Sequence, residues 1–295
     1  MPPLCNCNKH LKVRNAKKQP VHKKITLPAL KPRKRTSHKG QNGRILVIGG
    51  SEDYIGAPAL VGMSAIAALR SGADLVTVAA PKKVSWAINC IAPDLITRKI
   101  PGKQFTRKSV LRVLELAKSA DAIVIGNGIT LTKESTAFMR EIIRRANKPI
   151  IIDAAALRVI RVQDVQNAVL LPHAKELETL LKNSKLSLKN VQRQLRNNIL
   201  VLKGHPKTAI LSRTKRAINT TGHPGMTHGG TGDVLAGIIA ALIAQGNDAF
   251  TACKIAAHVN GKAGELLAKK YGVGYLASDM ILEIPTLLKK YQKIN

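Results

Sequence analysis

At 295 residues and 45% apolar content the chain is long enough for one large domain, and its composition is globular. Its formal charge of +31 is extreme and uneven, because residues 1–51 hold 13 Lys and Arg and no acid while the rest is basic as well. Solubility, anionic ligands and nucleic acid compete for that charge, but aromatic residues at 3% leave few stacking platforms, so nucleic acid is not expected as the main partner. The longest apolar run, near 234–244, is shorter than the roughly 18 residues of a membrane span, so no membrane partner is expected. Cys5, Cys7, Cys90 and Cys253 form neither a disulfide framework nor a zinc pattern, which fits a reducing, cytoplasmic setting.

Residues 1–38 are lysine-rich and punctuated by prolines without apolar periodicity, and they are expected to be a basic, disordered extension to a domain over 39–295. From Arg44 the texture changes. "RILVIGG" is a β-branched run stopped by glycine, as a buried parallel strand should be. A helix is expected over 58–71, then a strand in "DLVTVAAP". The strand form returns in "DAIVIGNG", "KPIIIDAAA", "NAVLLPH" and "NILVLKG", with helices predicted over 133–146 and 175–181 between some of them. This alternation predicts an α/β fold, a mainly parallel sheet with helices on both faces. Ligands in such folds sit beyond the carboxyl ends of the strands, where Gly49-Gly50, Gly126-Asn127-Gly128, Asp153, Pro172-His173 and Lys203-Gly204 should crowd one rim.

The last helical pattern follows "NTTGHPGMTHGGTGD". Val234, Leu235, Ile238, Ile239, Leu242 and Ile243 keep helical spacing, and Thr231 or Gly232 is the expected cap. Read alone, Asp233 is a first-turn acid that complements the helix dipole. The density of glycine before it argues for more: backbone N–H groups at a helix start favour anions, and glycine admits close approach of a ligand. Gly-Lys-Ser/Thr is missing, so this is not a P-loop.

With "SHKGQNGRILVIGGSEDYIGAPAL", "RSGADLVTVAAP", "DAIVIGNG", "IIDAAAL", "LPHAKE", "VLKG" and "GHPGMTHGGTGDVLAGIIAAL" in this order, the chain resembles the ADP- or ATP-dependent (S)-NAD(P)H-hydrate dehydratases of the ribokinase-like superfamily over residues 37 to about 285. The epimerase domain of fused members has no counterpart in these segments. The resemblance implies a ribokinase-like three-layer α/β/α sandwich, Mg²⁺, ADP or ATP as co-substrate with ADP favoured, and a homotetramer. It implies repair of hydrated NADH or NADPH by phosphorylation of the hydrate hydroxyl and loss of phosphate, with Asp233 as base. By the same resemblance Lys203, Gly204, His205, Pro206 and Lys207 face the nucleotide, together with Gly229, Gly230, Thr231 and Gly232. Ala57, Gly128 and His173, with Asp233, face the hydrate, and Glu176 neighbours His173.

This sequence departs from the family at Asn127, where proline is common, and at Ala155, Leu171, His223, His228 and Asn260; neither the base nor the glycines of GTGD are replaced. Two alternatives stay open at this point. One is a ribokinase-like kinase of a hydroxymethyl vitamin precursor, which would stop at the phosphate ester. The other is a basic nucleic-acid-binding protein, which steep salt dependence of binding would reveal.

Overall fold

The β-branched runs stopped by glycine form the parallel heart of a sheet in the computed structural model, which describes residues 27–54, 56–204 and 207–295. Its strands are β1 (Arg44–Ile48), β2 (Leu75–Pro81), β3 (Ile96–Ile100), β4 (Ala122–Ile125), β5 (Ile150–Ile152), β6 (Ala168–Leu170), β7 (Ile199–Leu202), β8 (Thr208–Leu211) and β9 (Arg216–Asn219). They lie in the order β3-β2-β1-β4-β5-β6-β7-β8-β9. β1 to β7 are parallel, and β8 and β9 are antiparallel additions at one edge. Six of the parallel strands, β1, β2 and β4 to β7, are those expected from the sequence, whereas β3, β8 and β9 were not.

Among the described residues eight α-helices cover the sheet: α1 (Ala57–Arg70), α2 (Lys82–Ile91), α3 (Val110–Lys118), α4 (Lys133–Arg145), α5 (Ala174–Ser184), α6 (Thr231–Ala244), α7 (Ala249–Tyr271) and α8 (Ala277–Lys289). The strands feed both layers by simple alternation. Ile45 and Val47 of β1 join the core beneath α1, α2, α6, α7 and α8, while Leu46 and Ile48 join the core beneath α3, α4 and α5. Helices on both faces of a mainly parallel sheet make the expected three-layer α/β/α sandwich. No helix among the described residues is long and apolar enough to cross a membrane.

Some residues before 39 make contacts with the domain. Leu30 is buried in the core, Arg33 forms a parallel bridge with Ile294, and its guanidinium meets Asp74 at 2.7 Å. A few apolar, backbone and charged contacts hold a segment whose overall composition is basic. Residues 1–26, with Cys5 and Cys7, lie outside the described residues.

α6 is the central helix of its layer, with every residue from Val234 to Ile243 buried, as befits a helix apolar on all sides. Gly237 lets it lie directly on α1. A methyl group there would run into the Ser64 carbonyl oxygen and stand 3.0 Å from the Ala67 methyl. Gly237→Ala is therefore expected to lower the unfolding free energy by about 2 kcal/mol, overpacking outweighing the better helix propensity of alanine. Urea unfolding checks this; an unchanged or higher midpoint would show that α1 yields freely.

Candidate active site

The chain leaves β1 in one direction to β2 and β3, and resumes on its other side with β4, β5 and β6. Where neighbouring strands part in this way, the loops beyond their carboxyl ends diverge and leave a crevice. Gly126 and Gly128 flank Asn127 in the β4 loop at φ 119° and 65°, conformations that favour glycine. A methyl group on Gly128 would stand 2.8 Å from that of Ala57, and one on Gly126 would strike the Asp153 carbonyl. The loop is thereby pressed against the start of α1 on one side and the end of β5 on the other.

Two cavities open along this rim. The first, of about 680 Å³, is lined by Ala57, Gly128, Arg158, His173 and Lys175 among others. The second, of about 550 Å³, is lined by Lys203, Gly204, Asn219 and the whole run Gly229 to Asp233. Ala154, His173 and Glu176 belong to both. Ala154 is held at φ 49°, a left-handed conformation that costs an alanine about 1 kcal/mol, in the wall between the cavities.

Asp233 is in the first turn of α6, on the lining of the second cavity. The cap is Gly230 rather than Thr231 or Gly232, because its φ of 97° is open to glycine and Thr231 already has helical geometry. The Thr231 hydroxyl instead donates to the Met226 carbonyl at 3.0 Å. Beyond Gly229 there is open space where a side chain would lie, so its backbone is accessible.

Asn127 Nδ2 donates to Asp233 Oδ1 at 2.6 Å, joining the loop of the first cavity to the acid of the second. The Asp233 carboxyl is pushed up to about 7, chiefly by removal from water and then by the charge of Asp153, with Asn127 and Lys203 opposing. Lys203 Nζ sits 2.7 Å from Asp153 Oδ1 and 4.0 Å from Glu176 Oε2. Burial disfavours its ammonium, but Asp153, Glu176 and Asp233 outweigh that and hold its pKa above the ordinary 10.5. His173 caps α5: its backbone N–H donates to Glu176 Oε2 at 2.9 Å, and its Nδ1 accepts from the Glu176 N–H at 3.4 Å.

Of the expected site residues, Ala57 and Gly128 line the first cavity, Lys203, Gly204, Gly229 to Gly232 and Asp233 the second, and His173 both. Lys207 is exposed and lines neither cavity. His205 and Pro206 lie outside the described residues. Sequence reading noted Asp153 only as a strand end, and Asn127 only as a strand end and a departure. An acid directly after a fully buried strand was the available signal for the first; nothing local identified the second, whose partner is 106 residues away.

A model of the family described as NAD(P)H-hydrate dehydratase matches residues 45–286. The chain is 40% identical over 280 residues to the bifunctional NAD(P)H-hydrate repair enzyme Nnr of Methanothermobacter thermautotrophicus, covering 90% of this chain and 52% of that protein. It therefore spans about half the length of the first curated relatives it matches. It is 34% identical over 275 residues to the ADP-dependent (S)-NAD(P)H-hydrate dehydratase of Nitrosopumilus maritimus, covering 89% of this chain and 94% of the relative. Among solved structures, a ribokinase-like superfamily protein from Enterococcus faecalis superposes with a TM-score of 0.77 at 29% identity, covering 90% of this chain and 93% of the other.

Proposed function

The chain belongs to the NAD(P)H-hydrate dehydratase family, and from that premise we propose that it dehydrates the S-form of hydrated NADH and NADPH at the expense of a nucleoside phosphate, with ADP as donor in preference to ATP. The carrying observation is the position of Asp233, on the wall of one cavity and hydrogen-bonded to the loop that lines the other.

Hydroxide leaves carbon poorly and phosphate leaves well, so the hydroxyl must first be esterified. In this reading the hydrate's ring rests against Ala57 and Gly128, and the nucleotide lies along Lys203-Gly204 with its terminal phosphate before α6. Asp233 takes the hydroxyl proton as the oxygen attacks the terminal phosphorus and the bond to AMP breaks. The amides of Gly229 to Gly232 and the Lys203 ammonium meet the charge on the transferring group. The ring nitrogen's electron pair then expels phosphate, and loss of a proton from the neighbouring carbon restores the dihydropyridine double bond. One ADP becomes AMP and phosphate for each cofactor repaired.

Mg²⁺ neutralises the phosphates of the donor when bound. The described residues contain no group of three or more His, Cys, Asp or Glu able to cage an ion. That suits a metal held mainly by phosphate oxygens, with Asp153 and Glu176, besides the base Asp233, as the carboxylates that line the same cavity. A homotetramer in a reducing, cytoplasmic setting completes the proposal.

Incubation of the purified protein and Mg²⁺ with S-NADPH hydrate plus ADP, and separately plus ATP, is expected to restore dihydronicotinamide absorbance, faster with ADP. No return with either donor would remove this function. Accumulation of a stable phosphate ester without that return would favour a kinase.

A further inference from the structure

A third cavity, of about 670 Å³, opens beside the site and is lined by four arginines: Arg140 and Arg144 of α4, and Arg158 and Arg161 of the segment after β5. Among the described residues, Asp164 is the only carboxylate on its lining. Three of the arginines are oriented by partners. Arg140 Nε donates to the Val159 carbonyl at 2.7 Å, Arg161 grips Asp164 in a fork at 2.7 and 2.8 Å, and Arg144 meets Glu141 at 2.9 Å. The Arg158 guanidinium has no hydrogen bond or ion pair among the described residues, and it also lines the first cavity. It stands where the two spaces meet.

Resting on the reading that the first cavity holds the hydrated dinucleotide, we propose that the arginine cavity is a phosphate-monoester site that takes the 2′-phosphate of hydrated NADPH. Hydrated NADH lacks this group. The pyrophosphate linkage is common to both hydrates, whereas the 2′-phosphate belongs to one, so a site for that anion separates them. A phosphate monoester offers three oxygens to planar guanidinium forks, and each arginine here retains N–H donors beyond those its partners use. Arginine beside a ribose 2′-phosphate is a general device for such discrimination. A cavity of this size has room for the ribose that carries the phosphate as well.

The test is the ratio of kcat/KM for S-NADPH hydrate to that for S-NADH hydrate. The wild-type ratio is expected to exceed one, and Arg158→Gln is expected to lower it about tenfold, the worth of a lost charge-assisted hydrogen bond. Arg144→Gln should lower it by a smaller factor, and Arg158→Lys should fall between wild type and Arg158→Gln. Thermal midpoints of these variants should stay within about 3 °C of wild type, as expected for exposed side chains without core contacts. A ratio unchanged by Arg158→Gln would overturn the proposal. Calorimetric titration with NADP⁺ and NAD⁺ reads the same site without turnover, and weakening of NADP⁺ alone is the expected result; equal weakening of both also overturns it. A protein that converts neither hydrate would defeat the functional reading, while the titrations would still decide the arginine site.

Discussion

Asp233→Asn is expected to lower kcat about a thousandfold while ADP still binds, because amide and carboxylate share a shape but only the carboxylate accepts the hydroxyl proton. Turnover near the wild-type value would take the base role from Asp233. The pH dependence supplies a second readout. With its carboxyl pushed up to about 7, Asp233 is mostly protonated below neutrality, so wild-type turnover should climb with pH through about 7 and then level. The same shift opposes folding at alkaline pH. Between the ordinary 3.8 and about 7 the folded chain holds a proton that the unfolded chain has released. The stability gained from this is full below that window, declines as pH rises through it, and is gone above. Asp233→Asn escapes this penalty and should unfold no earlier than wild type at pH 8, which distinguishes lost chemistry from lost structure.

Lys203→Met is expected to cost about 3 kcal/mol of stability and to raise KM for the nucleotide at least tenfold. Asp153 is 4% exposed and Lys203 20%, so removing the cation leaves a buried carboxylate without its counter-charge and Glu176 and Asp233 close by. Methionine keeps the aliphatic stem, so the loss reports charge more than packing. The Lys203 ammonium, its pKa raised above 10.5, contributes across the neutral range, and that contribution fades only as pH rises past the folded value. Because Lys203 also restrains the Asp233 carboxyl, the midpoint of the pH profile should move above 7 in the variant. Urea unfolding at pH 8 checks the stability. Asp153→Asn added to Lys203→Met should restore part of it, and failure to do so would show that the pair is not the source.

The seven parallel strands divide sharply in how visible they were. Six are β-branched runs buried on both faces and cut off by glycine, proline or an acid, a pattern with few other solutions. β3 reads "ITRKI", an edge strand whose outward side chains are charged, so neither alternation nor apolar content announced it. β8 and β9 are four residues each, and their identity as strands comes from the antiparallel partner beside them. At the site, the glycine loop, Asp233 and Lys203 could be located because each adjoins a recognisable strand or helix. The partners that give them their chemistry could not. Lys203 and Asp153 are separated by 50 residues, and the four arginines of the third cavity come from two segments joined only through the fold.

The wall shared by the first two cavities has a thermodynamic meaning. Ala154, His173 and Glu176 face both spaces, so the two occupants share part of their boundary. Whatever settles in one space alters the freedom and hydration of side chains that the other occupant must contact. Any resulting cooperativity is reciprocal, each ligand changing the other's affinity by the same factor. A fold with two such neighbouring chambers can therefore reserve its tightest grip for the moment when donor and acceptor are both aboard.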